Sequence, residues 1–378
     1  MNRRNVVLGA LVASAVGAAA LALGLVVDAR RAWFAYLAAW TVGVTITIGA
    51  LLLLMVGHAA KASWMIVTRR VTEAVVTALP LYLALFVPLC FGLDKLYPWV
   101  SQPDEHKRSY LNPPFFVGRA FLYLGIFILV GTLLCRWSRE NDVRPSMRLV
   151  RSMRRLGGGG LPLVGLTTTW ASFDWTMSLQ PEWYSTIFGL YFFAGAFVGA
   201  IALVSLMVNL SRLRAGSSSP VTPDHAQALG RLLFAMIAFW AYMAFSQLLI
   251  YWIGDIPKEI TFYGRRTAGS WTAVTYVLVC GNFVVPFFAL LNRHWKRHAD
   301  YLSTVAAWVL VMHFVDIYWL VLPVCDTTGV RPHWLDLGAI LFVGGLSCAW
   351  IARRYFSAPP LPLHDPEMAE GLGYEAAV

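Results

Sequence analysis

Two aspartates stand inside apolar stretches of the sequence. Asp174 lies in ASFDWTMSLQP (171–181) and Asp316 lies in HFVDIYWLVLP (313–323), each seven residues before a proline. At 1.5 Å per residue they lie roughly 6 Å and roughly 9 Å inside the ends of their predicted helices. A charged side chain deep in a bilayer is costly and is normally turned toward a partner or water. Both carboxyl groups are therefore candidates for taking up and releasing protons.

Neighbouring side chains give these aspartates two interpretations. His313 lies three residues before Asp316, which puts both on one helical face. An imidazole titrates near neutral pH, so we predict a proton path that uses Asp174, Asp316 and His313. The alternative is static bracing, in which an aspartate pairs with an arginine such as Arg119 and joins two helices. The sequence leaves both interpretations open.

An aromatic tract opens the sixth apolar segment. Glu182, Trp183 and Tyr184 follow directly after Pro181. Aromatic residues at this depth usually form a belt at the membrane interface. A quinone headgroup also favours aromatic walls with one or two polar anchors. The tract, with Glu182 as its polar group, is therefore also a candidate quinone cleft.

The cysteines and histidines do not form a recognisable cofactor motif. No two cysteines form a CxxC or CxxCH unit, which argues against a cysteine-ligated iron–sulfur cluster, a zinc knuckle or covalent haem. His313 could ligate haem b only together with a second buried histidine. The other histidine near a span, His58, lies at the end of the second apolar segment, close to Lys61, so haem b is not expected. His294 and His298 have the spacing of a metal pair, but they lie among three cations. We expect no metal or cofactor in this chain.

The elements that hold these residues are apolar and long. Of the 378 residues, 58% are hydrophobic and 13% are charged, whereas soluble proteins have about 25% charged residues. Ten segments approach the roughly 17 to 25 apolar residues that cross a bilayer. They cover residues 5–27, 32–56, 71–91, 115–137, 161–178, 183–210, 232–253, 271–291, 302–322 and 335–352. The sequence predicts an all-α integral membrane protein with ten transmembrane helices.

The basic residues are distributed unevenly between the two sides of this predicted membrane protein. Twenty lysines and arginines lie on the side of the N-terminus and nine lie on the other. Because cytoplasmic loops are enriched in these residues, both termini are expected in the cytoplasm. The net charge of +10 therefore reports topology, and no nucleic acid is expected as a partner. The arginine-rich segment 138–160 is expected to be a loop that touches anionic lipid headgroups.

The positions of the two aspartates suggest an internal repeat. Spans two to five and six to nine would be parallel copies of a four-helix bundle, with Asp174 and Asp316 in matching places. The tail is rich in proline and then acidic, and we expect it to be disordered unless a partner orders it. The predicted parts are a first helix (1–31), two bundles (32–182 and 183–325), a tenth helix (326–356) and the tail (357–378).

Four stretches carry a resemblance to a known family. They are residues 110–123, 171–197, 231–263 and 313–323, with the FDW and FWAY tracts as their most specific parts. They resemble the ActF-type membrane subunit of bacterial alternative complex III, which belongs to the NrfD-like, or polysulfide-reductase-like, group of quinone-linked membrane proteins. The likeness covers most of the chain from the second span to the tenth.

This resemblance implies a role in a respiratory chain. The complex oxidises quinol in the bacterial inner membrane and passes electrons to a periplasmic cytochrome or copper carrier, or directly to a terminal oxidase. The implied partners are a sister NrfD-like membrane subunit and periplasmic subunits that carry the iron–sulfur clusters and c-type haems. The ActF-type subunit is implied to be non-catalytic, to support assembly and to provide part of a proton path, with Asp174 and Asp316 as the matching residues. The alternatives are a quinol-binding subunit and a structural module that docks periplasmic partners through residues 92–114.

Overall fold

The computed structural model describes residues 3–357, 359–362 and 364–376 of the chain. Across these residues the secondary structure is helical, without a β-strand. Within the same ranges, nine helices are long and apolar enough to cross a membrane by length and composition. The prediction of an all-α membrane protein is confirmed at this level.

Ten long helices form the body of the protein, and we number them in chain order. They are α1 (Arg3–Val27), α2 (Ala29–Ala60), α3 (Arg69–Leu89), α4 (Pro113–Val143), α5 (Met147–Trp175), α6 (Phe188–Ala215), α7 (Pro223–Gly254), α8 (Trp271–Ala289), α9 (Ala299–Val324) and α10 (Trp334–Tyr355). Caps fix several of their first turns, because side-chain oxygens accept from otherwise unpaired backbone N–H groups. Asn112 accepts from the Phe115 amide at 3.0 Å at the start of α4, and Asp28 accepts from the Arg31 amide at the start of α2.

The arginine-rich segment 138–160 is not the loop that the sequence suggested. Helix α4 continues to Val143 and α5 begins at Met147, after Ser146 caps its first turn. The four consecutive glycines lie within α5, which approaches α2 closely at Gly157. A Cβ at Gly157 would lie 2.7 Å from the backbone oxygen of Met55. Helix α5 is not among the nine apolar helices within the described residues, since threonines, glycines and Asp174 interrupt its apolar half.

The helices pack as two four-membered rings that lie side by side. One ring consists of α2, α3, α4 and α5, and the other consists of α6, α7, α8 and α9, each helix contacting the next. Helix α2 joins the rings by packing on α6 and α9, while α1 and α10 pack together and α10 lies on α2. Gly49 permits the close contact of α2 with α6, because a Cβ there would lie 2.0 Å from the backbone oxygen of Ala196. The boundaries of the predicted bundles and their origin as copies stay predictions.

The acidic tail is ordered by the chain itself. Asp365 forms an ion pair with Arg69 at the start of α3. The backbone oxygen of Gly371 lies 2.8 Å from Nε2 of His225 in the first turn of α7. The described part of the tail therefore spans both rings. The sequence made order of the tail depend on a partner, and for the described residues that partner is a surface of the same chain.

Candidate functional site

Asp174 lies at the C-terminal end of α5 in a two-pronged ion pair. Nε and Nη2 of Arg119 donate to its two carboxylate oxygens at 2.7 and 2.9 Å, and the Tyr123 hydroxyl donates at 3.0 Å. The carboxylate is fully buried. Arg119 and Tyr123 are four residues apart on α4 and therefore share a face. The geometry is that of a brace between α4 and α5, the alternative that the sequence left open.

The guanidinium of Arg119 is enclosed by aromatic rings. It lies 3.8 Å from the Tyr110 ring centroid and 4.3 Å from that of Phe115, and Nη1 donates to the Tyr110 backbone oxygen at 2.9 Å. Burial, together with the nearby Asp174 carboxylate, raises the pKa of the Tyr110 phenol. The cation is therefore held by one acid and two aromatic faces.

Asp316 lies inside the second ring and has different partners. The Tyr191 hydroxyl on α6 donates to one carboxylate oxygen, and Nε1 of Trp240 on α7 donates to the other at 3.1 Å. The side chain is 1% exposed. Among the residues that the structure describes, no lysine, arginine or histidine forms an ion pair with Asp316. It is a buried acid held by neutral donors.

His313 lies where α2, α6 and α9 meet. Its Nε2 is 3.0 Å from Oγ1 of Thr45, whose hydroxyl donates to the Thr41 backbone oxygen at 2.7 Å. When the hydroxyl proton is used in that bond, Oγ1 of Thr45 is the acceptor for an Nε2 proton of His313. Gly199 leaves space for the ring, since a Cβ there would approach the imidazole at 2.9 Å. Within the described ranges, His313 and Asp316 share a helix face without a hydrogen bond between them.

Arg266 is a buried cation that the sequence analysis missed. Its guanidinium donates to the backbone oxygens of Trp319 and Leu320 at 3.0 and 2.6 Å and to Oε1 of Gln180 at 2.7 Å. It also stacks on the Phe262 ring at 3.5 Å. Burial lowers the pKa of Arg266 to about 9, which leaves it charged at neutral pH.

The position of Arg266 places a positive charge near the end of α9, about one turn beyond Asp316. Its partners there are backbone oxygens, and among the described side chains no carboxylate pairs with it. Cations are stabilised at helix C-termini, where unpaired carbonyls carry partial negative charge. No sequence signal separates Arg266 from its half-buried neighbour Arg265.

A cleft of about 370 Å³ lies between α7, α8 and α9, in front of Asp316. Tyr191 and Trp240 form part of its wall and separate it from the carboxylate. Gln247 is 2% exposed, and its Oε1 has no hydrogen-bond partner while its Nε2 donates to the Tyr263 hydroxyl at 3.2 Å. A buried acceptor is normally hydrogen-bonded, so Oε1 of Gln247 has room for a donor from a water molecule or a ligand. The sequence analysis did not predict this cleft, although Trp240 and Ala241 of its lining belong to the FWAY tract.

Glu182 does not enter a closed site. It is exposed, whereas Trp183 is buried and stacks on the Phe262 ring at a centroid distance of 3.9 Å. A groove of about 480 Å³ beside this tract is lined by Tyr184, Trp183 and others, but neither Glu182 nor Asp174 lines it. Aromatic packing therefore separates Asp174 from this groove.

The site residues thus form two centres, one around Asp174 near the end of α5 and one around Asp316 in α9. No protein-family model matches the chain, and no curated protein sequence matches it.

Proposed function

We propose that this chain is a membrane subunit of a bacterial quinol-oxidising respiratory complex of the alternative complex III type. The four resembling stretches support this proposal, because two of them contain the buried aspartates. In this proposal the chain crosses the inner membrane ten times, with α5 as the fifth crossing and both termini in the cytoplasm. The sister membrane subunit and the periplasmic iron–sulfur and cytochrome c subunits are its partners and hold the redox cofactors. The chain has no catalytic role of its own.

The proposed contribution of the second ring is a partial proton path through Asp316 and His313. The observation that carries it is the burial of Asp316 without a paired cation. A hydroxyl both donates and accepts. Tyr191 can therefore donate to the carboxylate or accept from the protonated acid. Both protonation states of Asp316 keep a hydrogen bond, as a proton-transfer step requires.

The proposed contribution of the first ring is assembly. Arg119 pairs with Asp174, and the Tyr123 hydroxyl donates to the same carboxylate, so these bonds join α4 to α5. We assign Asp174 to holding α4 and α5 in place beneath the surface segment 92–114. Lys107 of that segment donates to the backbone oxygen of Pro181, which ties the segment to the end of the first ring.

The test of the proton path is Asp316→Asn in the intact complex, with proton release per electron as the measurement. We expect a lower ratio in a complex that still assembles, because the amide cannot carry the proton. Asp300→Asn on the same helix is the control, since Asp300 is exposed. An unchanged ratio in Asp316→Asn would refute the path. Loss of assembly in that variant would instead favour a purely structural role.

A second candidate function is quinol binding by this chain, and the unpartnered Oε1 of Gln247 favours it. A quinol hydroxyl would donate to this oxygen between the aromatic walls, with Asp316 behind them. Gln247→Leu removes the acceptor at similar volume and should raise the quinol concentration needed for half-maximal rate. Tyr242→Phe, on the exposed side of the same helix, should not. If both variants behave alike, quinol is bound by another subunit.

A further inference from the structure

A second, larger groove lies on the outside of the first ring, between α3, α4 and α10. Its volume of about 600 Å³ is within the usual range for ligand sites, about 300 to 1,000 Å³. Most of its wall is apolar, and one end is cationic. The apolar part includes Val76, Leu79, Pro80, Ile128, Gly131 and Trp350.

The groove follows α4 from apolar to charged residues. Ile128, Thr132 and Arg136 line it at four-residue intervals, which spans about 12 Å at 1.5 Å per residue. On the opposite wall, Nε1 of Trp350 donates to the Thr77 backbone oxygen at 2.8 Å, so the indole is fixed in place. The site is therefore elongated and amphipathic, with a defined polar end.

Three arginines form the polar end: Arg136, Arg139 and Arg354. Nε of Arg139 is buried and has no hydrogen-bond partner. Glu140 is the one acid of the lining, so positive charge is in excess. Across the described residues none of these three arginines forms an ion pair.

Other arginines on the same face of the protein are neutralised by acids of this chain. These ion pairs are Arg69–Asp365, Arg70–Asp142 and Arg154–Glu367. The three groove arginines therefore differ from these, because no described acid of the chain pairs with them.

We propose that this groove binds one anionic phospholipid, with an acyl chain along the apolar wall and the phosphate against the three arginines. Charge complementarity and the length of the apolar wall both point to a lipid, because a soluble phosphate would leave that wall unused. Basic pockets between transmembrane helices on the cytoplasmic side bind anionic headgroups. The positive-inside count assigns the arginine end of the groove to that side. The bound lipid would contact α3, α4 and α10 and so link α10 to the first ring.

The test is native mass spectrometry of the full chain in detergent with added phosphatidylglycerol or phosphatidylcholine of identical acyl chains. We expect selective retention of phosphatidylglycerol. Arg136→Gln and Arg139→Gln should each weaken this binding roughly fivefold, the factor that corresponds to about 1 kcal/mol per cation near an anionic lipid. Arg353→Gln is the matched control, because Arg353 neighbours Arg354 and is exposed but does not line the groove.

A second variant tests the apolar end. Thr132 is exposed within the groove, so Thr132→Trp should fill it and reduce phosphatidylglycerol binding at unchanged melting temperature. Equal retention of the two lipids would overturn the proposal. It is also overturned if Arg353→Gln weakens binding as much as the groove variants, or if Thr132→Trp leaves binding unchanged.

Discussion

Removing one partner of the Arg119–Asp174 pair tests the bracing role of the first ring. Asp174→Asn keeps the shape and one acceptor oxygen but removes the negative charge. The Arg119 cation then stays buried between two aromatic rings without its acid. Arg119→Met leaves the opposite defect, a fully buried carboxylate with only the Tyr123 hydroxyl as a side-chain donor.

The expected size of the effect comes from the burial of both partners. Asp174 is 0% exposed and Arg119 is 8% exposed, and breaking such a pair on one side destabilises by about 3–5 kcal/mol. We expect Asp174→Asn near the lower end, because the amide still accepts one bond and the cation–π contacts remain. Arg119→Met should be near the upper end. The double variant has no unpaired buried charge, so it should be less destabilised than the sum of the single variants by about 2–3 kcal/mol.

The assay is the unfolding midpoint of the purified protein in mixed micelles, followed by tryptophan fluorescence. Arg108→Met is the control, since Arg108 is an exposed arginine of the neighbouring surface segment and such changes stay within about 0.5 kcal/mol. Additive effects in the double variant would refute the bracing argument, as would an Asp174→Asn protein as stable as the control.

Two further predictions concern packing and the tail. Gly49→Ala should destabilise by about 1–3 kcal/mol because its Cβ would overlap a backbone oxygen. Gly125→Ala, with open space around it, should stabilise the helix by up to about 1 kcal/mol in the same unfolding assay; equal effects would contradict the close contact of α2 with α6. Asp365→Asn removes a charged hydrogen bond of about 1.5–3 kcal/mol, so proteolysis of the tail should become roughly ten- to hundredfold faster. Exposed Glu370→Gln should not change that rate, and a native rate in Asp365→Asn would contradict the docking of the tail.

The sequence predicts the helices well because membrane-spanning length and apolarity are local properties. The failures have a common physical cause. The glycine and arginine run of α5 is predicted to be a loop when it is considered alone, whereas in the fold it is helical and Gly157 permits a close contact with α2. The partner of the tail is likewise not visible in the sequence, since Asp365 meets Arg69 only in the folded chain.

The candidate site also depends on contacts between residues that are distant in sequence. Asp174 and Asp316 are visible in the sequence as charges in apolar surroundings, and Arg119 is visible as a possible ion-pair partner. The partners of Asp316 come from helices distant in sequence and were not predicted. Arg266 and Gln247 have no unusual sequence neighbours, and only packing reveals that one is a buried cation and the other a buried acceptor.

The two aspartates illustrate how similar positions acquire different chemistry. Both lie near the end of the last helix of a ring, and both accept from a tyrosine hydroxyl. In the first ring, Arg119 donates directly to the Asp174 carboxylate. In the second, the buried cation Arg266 is bound to the helix carbonyls beyond Asp316. Among the described residues no cation pairs with Asp316, so a change in its charge would break no ion pair, whereas the Asp174 carboxylate is one half of an ion pair.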